Sequence, residues 1–250
     1  GLVACGMVVE RDGPPRRDVD YAGLPDAVPK DELHSRHGNP TSYEVMGKTY
    51  YTLTNSEGFF ERGIASWYGT KFHGRRTSSG ERYDMYKMTA AHRTLPLPTY
   101  VEVKNLSNAR AATVRINDRG PFHDNRIIDL SYAAAQKLGI VKAGTALVSV
   151  RAVRAGPSRP DAPQVRTAAQ KHPEHFYLQY GAFHELSNAE RMRDRIATII
   201  EELVEVQAAN SEGYVIHRVR IGPLASINIA DRLVAALSRV GIHEHVIVVP

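Results

Sequence analysis

The chain has a single cysteine, Cys5, so no intrachain disulfide can form. No run approaches the roughly 18 apolar residues of a membrane-spanning helix. Metal-type close spacing such as His-x-x-x-His is missing, so neither a metal centre nor another cofactor is expected. No Lys/Arg block is dense enough to indicate nucleic acid. The 32 basic and 27 acidic residues leave a formal charge of +5, a mild excess that suits an anionic wall polymer or a membrane surface.

What is present divides the 250 residues into two domains joined by breaker-rich segments. Residues 6–40 are rich in Pro, Gly and charge, with Arg11–Asp18 and Gly23–Pro40 lacking any sustained period, and read as an extended or disordered tether. From Ser42, two short strands are expected about a turn at Gly47-Lys48. Gly63–Tyr68 reads as a strand. Thr99–Lys104 and Ala112–Ile116 alternate apolar with polar around Ser107-Asn108, as a hairpin does. Ser131 fits the N-cap of a helix over Tyr132–Leu138 with Gly139 as its stop, and Thr145–Val153 closes the unit as a strand. Many short strands with one helix predict a small closed barrel, a form that leaves no sheet edge exposed.

Residues 154–174 hold Gly156, Pro157, Pro160 and Pro163 and sustain neither helix nor ladder. Beyond them strand, helix and strand occur twice. Phe176–Phe183 is a strand. Ser187–Glu190 reads as a capping box before a helix with Ala189, Met192, Ile196 and Ile199 on one face. A strand opens at Val204–Val206 and another spans Tyr214–Ile221. A second helix carries Ile229, Leu233, Leu237 and Val240 and stops at Gly241, before a last strand at His245–Val249. This βαββαβ order predicts two helices on one face of a four-stranded sheet.

The turns of the first unit carry Glu81, His92 and Asp118, an acid/base set on loops held by a rigid sheet. Each has an ordinary alternative. An Asp in Asn117-Asp118-Arg119-Gly120-Pro121 often just caps its own turn, and a lone His is more often structural than catalytic.

The motifs of this stretch are Ala65–Gly69, Phe72–Arg75, Ser79-Gly80-Glu81, Thr89–His92 and Asn117–Pro121. Together and in order they resemble the double-psi β-barrel of the rare lipoprotein A (RlpA) family. Gln179–Phe183 and Arg220–Pro223 resemble the signatures of its SPOR domain. Leu2-Val3-Ala4-Cys5-Gly6 resembles a lipobox, which implies that the chain starts inside a lipoprotein signal and that Cys5 carries the lipid. The resemblance thus implies a mainly β plus α/β protein. Its parts would be a lipobox and extended tether (1–40), a six-stranded double-psi barrel with an N-terminal strand extension (41–153), a Pro-rich linker (154–174) and a SPOR domain (175–250).

It further implies a lytic transglycosylase that cuts the bond between N-acetylmuramic acid and N-acetylglucosamine without water, leaving a 1,6-anhydro end. The sugar's own 6-hydroxyl attacks C1, so one carboxyl group suffices to protonate the leaving oxygen and then take the hydroxyl proton. Asp118 would be that acid/base, with Arg119 pointing elsewhere. Glu81 would position substrate or stabilise charge at C1, and His92 would orient an acid or a sugar hydroxyl; sequence does not fix which of Glu81 and Asp118 holds which role. Trp67 and Tyr68 are core, or a groove wall on which a sugar stacks. In the SPOR part, Gln179, Gly181, Phe183, Arg220, Gly222 and Pro223 would hold glycan strands stripped of stem peptides, with Arg220 suited to a lactyl carboxylate. Leu224 stands where the family often has an aromatic.

The implied partners are denuded peptidoglycan strands, divisome proteins and, through the lipid on Cys5, a membrane; nucleic acid is not expected. The implied place is the periplasmic face of the outer membrane, enriched at the division septum. A non-catalytic septal glycan-binding protein is the competing reading, because double-psi barrels serve unrelated functions.

Overall fold

The computed structural model describes residues 12–15, 21, 23–123, 125–155, 175–211, 214–243 and 245–248. The Cys5 lipobox and the linker between residues 156 and 174 lie outside the described residues.

A hairpin comes first: β1 (Ser42–Val45) pairs with β2 (Lys48–Tyr51). Its two-residue turn is Met46-Gly47, with φ of 52° and 75°, one residue earlier than expected. Both angles are positive, as a type I′ turn requires. Six strands then close a barrel: β3 (Phe60–Tyr68), β4 (Thr89–His92), β5 (Thr99–Asn105), β6 (Ala111–Asp118), β7 (Arg126–Ser131) and β8 (Ala146–Val153). Their order around the ring is β3-β7-β4-β6-β5-β8. The pairs β3/β7 and β4/β6 are parallel and the rest antiparallel. Parallel neighbours need crossover connections rather than tight turns: β4 reaches β6 by way of β5, and β3 reaches β7 by way of β4, β5 and β6.

Alternation explains the packing. In β5, Val101 and Val103 are fully buried while Glu102 and Lys104 face water. Val114 and Ile116 of β6 and Ile128 and Leu130 of β7 meet them inside the barrel. Each such aliphatic side chain contributes about 1.5–3 kcal/mol on burial. Helix α1 (Tyr132–Lys137) closes one end, with the Ser131 hydroxyl accepting from the Ala134 amide as expected.

The segment read as a tether is a correction in part. Residues 23–40 contain no helix or strand, yet they lie along the barrel as a strap. The Ala27 amide donates to Thr113 O (3.0 Å) and the Ser35 amide to Leu97 O (2.7 Å). The Asn39 side chain both donates to and accepts from the Leu97 backbone, each at 2.8 Å. Tyr21 stacks on Tyr86 with ring centroids 4.9 Å apart. Composition indicated an extended or disordered segment; backbone and side-chain hydrogen bonds to the barrel hold it in its irregular path.

The second unit has the predicted βαββαβ order: β9 (Phe176–Phe183), α2 (Leu186–Ala197), β10 (Val204–Ser211), β11 (Tyr214–Leu224), α3 (Ile227–Ser238) and β12 (Val246–Val248). The sheet runs β10-β11-β9-β12, and Ala189, Ile196, Leu233 and Leu237 pack on its inner face. The capping box is a second correction. Leu186 is already helical, so Glu185 takes the N-cap position and makes no side-chain cap. Ser187 lies inside the first turn. Ser226 does cap α3, accepting from the Ile229 amide.

Candidate active site

Strand register assembles the site. Ala91 of β4 pairs with Asp118 of β6 on one side and Asp129 of β7 on the other, and Asp129 pairs in turn with Ser66 of β3. Residues directly opposite in a sheet share a face. Ser66, Asp129, Ala91 and Asp118 therefore form one row across four neighbouring strands, on the outer face, because Ala90 and Leu130 point into the core.

The Asp118 Oδ1 atom accepts three hydrogen bonds, all at 2.8 Å: from the Ser78 amide, the Ser78 hydroxyl and the Arg119 amide. The Ser78–Glu81 loop thus folds against the end of β6, with the Ser79 amide also donating to Asn117 O. Gly80 has φ of 90°, a conformation glycine adopts at little cost, and it lets the loop turn back. Arg119 points away from Asp118, as expected. Its guanidinium donates to Gly38 O (2.8 Å), His92 O (3.1 Å), Leu95 O and Asn39 Oδ1 (3.0 Å), tying the strap to the end of β4.

Glu81 is brought close to Asp118 through that loop. Its carboxylate accepts from Arg115 Nη1 (2.7 Å) and Asn117 Nδ2 (2.8 Å). Arg115 in turn donates to Glu32 of the strap. These groups line an open cleft of about 780 Å³ with Thr89 and Tyr100. Thr89 and Ala91 lie two residues apart on β4, so the cleft and the acid row share one side of the barrel.

The structure does not bring His92 into this group. It follows Ala91 on β4 and faces the other way, only 2% exposed. Its Nδ1 accepts from the Thr94 and Leu95 amides (3.2 and 3.1 Å), which leaves Nε2 to face Glu61 Oε2 at 3.3 Å. Burial holds the imidazole below its ordinary pKa although Glu61 opposes this. Of the two aromatics, Trp67 packs edge-on against Tyr132, centroids 5.5 Å apart. Tyr68 is buried and stacked on Tyr83 at 4.0 Å. Burial, then Tyr83, then Asp118 and Asp129 push its hydroxyl pKa up, so it lies beside both acids without being open to a sugar. Tyr68 thus takes the core alternative, while Trp67 is half-buried with its ring against Tyr132.

Asp129 received no role from the sequence. The available signal was one acid inside the apolar run Ile127-Ile128-Asp129-Leu130. Its carboxylate accepts from the Ser66 hydroxyl, which is itself held by Arg126 Nη1 at 3.1 Å. Burial pushes the Asp129 carboxyl above the usual aspartate range, despite Ser66, Arg126, His123 and Arg93.

In the second unit Gln179 and Arg220 are register partners on neighbouring strands. Arg220 Nε donates to Gln179 Oε1 (3.3 Å) and its Nη1 to Gln207 Oε1 (2.8 Å). Gln207 was not foreseen. Gly181 has the Phe183 ring lying where a Cβ would stand, 2.5 Å from that position. Gly222, with φ of 135°, is similarly hemmed by Phe176 O and Tyr177 Cδ1, and Pro223 is exposed. Gln179 and Gly181 also line a cleft of about 560 Å³ with Glu61, Arg62 and Arg93 of the barrel.

Comparison with known proteins agrees with both halves. The family described as Lytic transglycolase matches residues 61–150, and the SPOR domain matches residues 172–248. Endolytic peptidoglycan transglycosylase RlpA of Pseudomonas aeruginosa (strain UCBPP-PA14) is 37% identical over 89% of this chain and 80% of its own. The protein of that name from Vibrio cholerae is 39% identical over 92% of this chain and 84% of its own. That of Neisseria meningitidis serogroup B is 55% identical over 54% of this chain and 56% of its own. A six-stranded closed barrel, a SPOR unit and this identity across most of the chain place it in the RlpA family of endolytic peptidoglycan transglycosylases.

Proposed function

We propose that this enzyme cleaves the β-1,4 bond between N-acetylmuramic acid and N-acetylglucosamine in peptide-stripped glycan strands, and that Asp118 handles the reacting sugar's proton. The observation that carries this reading is Asp118 itself. A loop and a backbone amide hold its Oδ1 with three donors, next to Asn117, which lines the Glu81–Arg115 cleft. Such a carboxylate is oriented before substrate arrives, which lowers the cost of reaching the reactive geometry. The 6-hydroxyl of the muramic sugar attacks C1, the bond from C1 to the neighbouring O4 breaks, and a 1,6-anhydro end results.

Glu81 is read as a substrate-positioning acid whose charge is balanced by Arg115. His92 is read as a positioning residue: through its backbone carbonyl it receives Arg119, the neighbour of Asp118. Gln179 and Arg220, bonded side by side, supply donors and acceptors for sugar groups. The SPOR unit would bring the barrel to denuded strands at the septum, with Cys5 carrying a lipid at the periplasmic face of the outer membrane.

The test is binding and turnover on two sacculus preparations, one intact and one stripped of stem peptides by an amidase. The reading predicts preferential binding and faster release of products from the stripped material. Equal binding to both would remove the denuded-strand assignment.

A further inference from the structure

We propose that Asp129 is the proton donor to the departing sugar oxygen and that Asp118 keeps the proton-accepting half of the reaction; this rests on the reading of the barrel as a transglycosylase acting through Asp118. Strand register sets the two acids in one row. Asp118 and Asp129 flank Ala91 in the same row, one strand spacing to each side. Two spacings put their backbones about 10 Å apart, with both side chains on one face. Paired carboxyls across a glycosidic bond are the arrangement that lets one deliver a proton while the other receives one.

The floor between them is small. Ala91 contributes a methyl group. Gly120 lies over it, with the position of its absent Cβ 3.8 Å from Ala91 Cβ, 3.9 Å from Phe122 Cε2 and 4.0 Å from Asp129 Oδ2. A side chain at Gly120, where φ is 134°, would be strained and would crowd Ala91, Phe122 and Asp129.

The two environments differ in the sense the division requires. Asp118 is met by three donors on Oδ1, which fix the orientation of its carboxylate and leave Oδ2 to receive the hydroxyl proton. Asp129 sits in a drier place with the Ser66 hydroxyl as its hydrogen-bond partner. The charged groups acting on it are Arg126 on its own strand, His123 before that strand and Arg93 after β4; even so, burial holds its proton above the ordinary aspartate value. The buried acid, Asp129, is therefore the one placed to arrive protonated and give its proton away.

The step balances without water. Asp129 gives its proton to O4 as the C1–O4 bond breaks, and the O4 sugar leaves as an alcohol. The 6-hydroxyl oxygen bonds to C1 and its proton passes to Asp118. Proton exchange with solvent then returns both acids to their starting forms.

The experiment uses the full chain, wild type and three variants, on peptide-free glycan strands and on a 4-nitrophenyl β-glycoside of a muramic-acid-terminated oligosaccharide. Nitrophenolate leaves without protonation. Asp129→Asn is expected to slow glycan cleavage by about 10²–10⁴-fold and aryl glycoside cleavage by less than about tenfold. Asp118→Asn should lose both, and Asp129→Glu should regain part of the glycan activity. The high-pH fall in the wild-type rate should vanish in Asp129→Asn on the aryl substrate. Glycan activity within about threefold of wild type in Asp129→Asn would overturn the proposal, as would equal loss on both substrates with a wild-type circular dichroism spectrum. A wild-type protein inactive on both substrates would instead remove the transglycosylase reading, and this inference with it.

Discussion

Glu32 grips Arg115 through two parallel hydrogen bonds, 3.0 Å to Nε and 2.7 Å to Nη2, and Arg115 gives its remaining nitrogen to Glu81 at 2.7 Å. A strap residue thereby sets the position of a cleft acid 49 residues further along the chain.

Glu32→Ala should therefore act on both stability and catalysis. The pair is partly exposed, with side chains 20% and 30% accessible, so solvent screens it. A loss of about 1–2 kcal/mol is expected, together with a raised KM as Arg115 and Glu81 loosen. Arg115 draws the Glu32 pKa below its ordinary 4.5, so this contribution is present above that value and fades as pH falls through the lowered one. Urea unfolding at neutral and acid pH checks the first point and steady-state kinetics the second. Unchanged KM would separate the strap from the cleft.

Arg119→Lys tests the clamp behind Asp118. One ammonium cannot reach Gly38, His92, Leu95 and Asn39 together, so buried carbonyls lose their donor. A cost of about 2–3 kcal/mol is expected in thermal unfolding, with the rate falling more than glycan binding. Wild-type stability in this variant would show that the clamp does not support the site.

Asp129 makes a prediction of the opposite sign. Its folded pKa lies above the ordinary 3.8, so the folded state holds more protons between those values and loses stability as pH rises through the folded one. Asp129→Asn removes the buried charge and keeps an acceptor for Ser66. Its melting temperature should exceed that of wild type at about pH 7, and the gain should disappear below about pH 3.8. A neutral-pH melting temperature below that of wild type would contradict the burial argument.

These acids also show how far sequence reading reached. Val101/Val103 against Glu102/Lys104 made β5 legible, and Ser131 announced α1, because local periodicity and capping leave marks in the order of residues. β4 and β7 left weaker ones. Each is short, and each has a parallel neighbour distant in sequence, so the row that joins Asp118 to Asp129 exists only once the barrel closes. His92 shared a motif with Ala91, yet strand alternation sends its ring to the opposite side. The strap read as an extended or disordered tether because its hold depends on Tyr21, Glu32 and Asn39 meeting partners far along the chain.

In the SPOR half, Arg220→Ala removes the bonds to Gln179 and Gln207. Partly exposed, Arg220 contributes little to folding, so stability should change by less than about 1 kcal/mol while affinity for peptide-free strands falls about tenfold or more. Isothermal titration with purified strands reads this. Unchanged affinity would move glycan recognition off that face.

The measurement that bears most directly on the account is mass spectrometry of the products formed from peptide-free glycan strands by the wild type and by Asp118→Asn. The account predicts 1,6-anhydromuramic ends from the wild type and none from the variant, which should still bind strands. Reducing ends from the wild type would mean that water, not the 6-hydroxyl, is the nucleophile. Anhydro ends from Asp118→Asn at the wild-type rate would contradict the assignment of Asp118 outright.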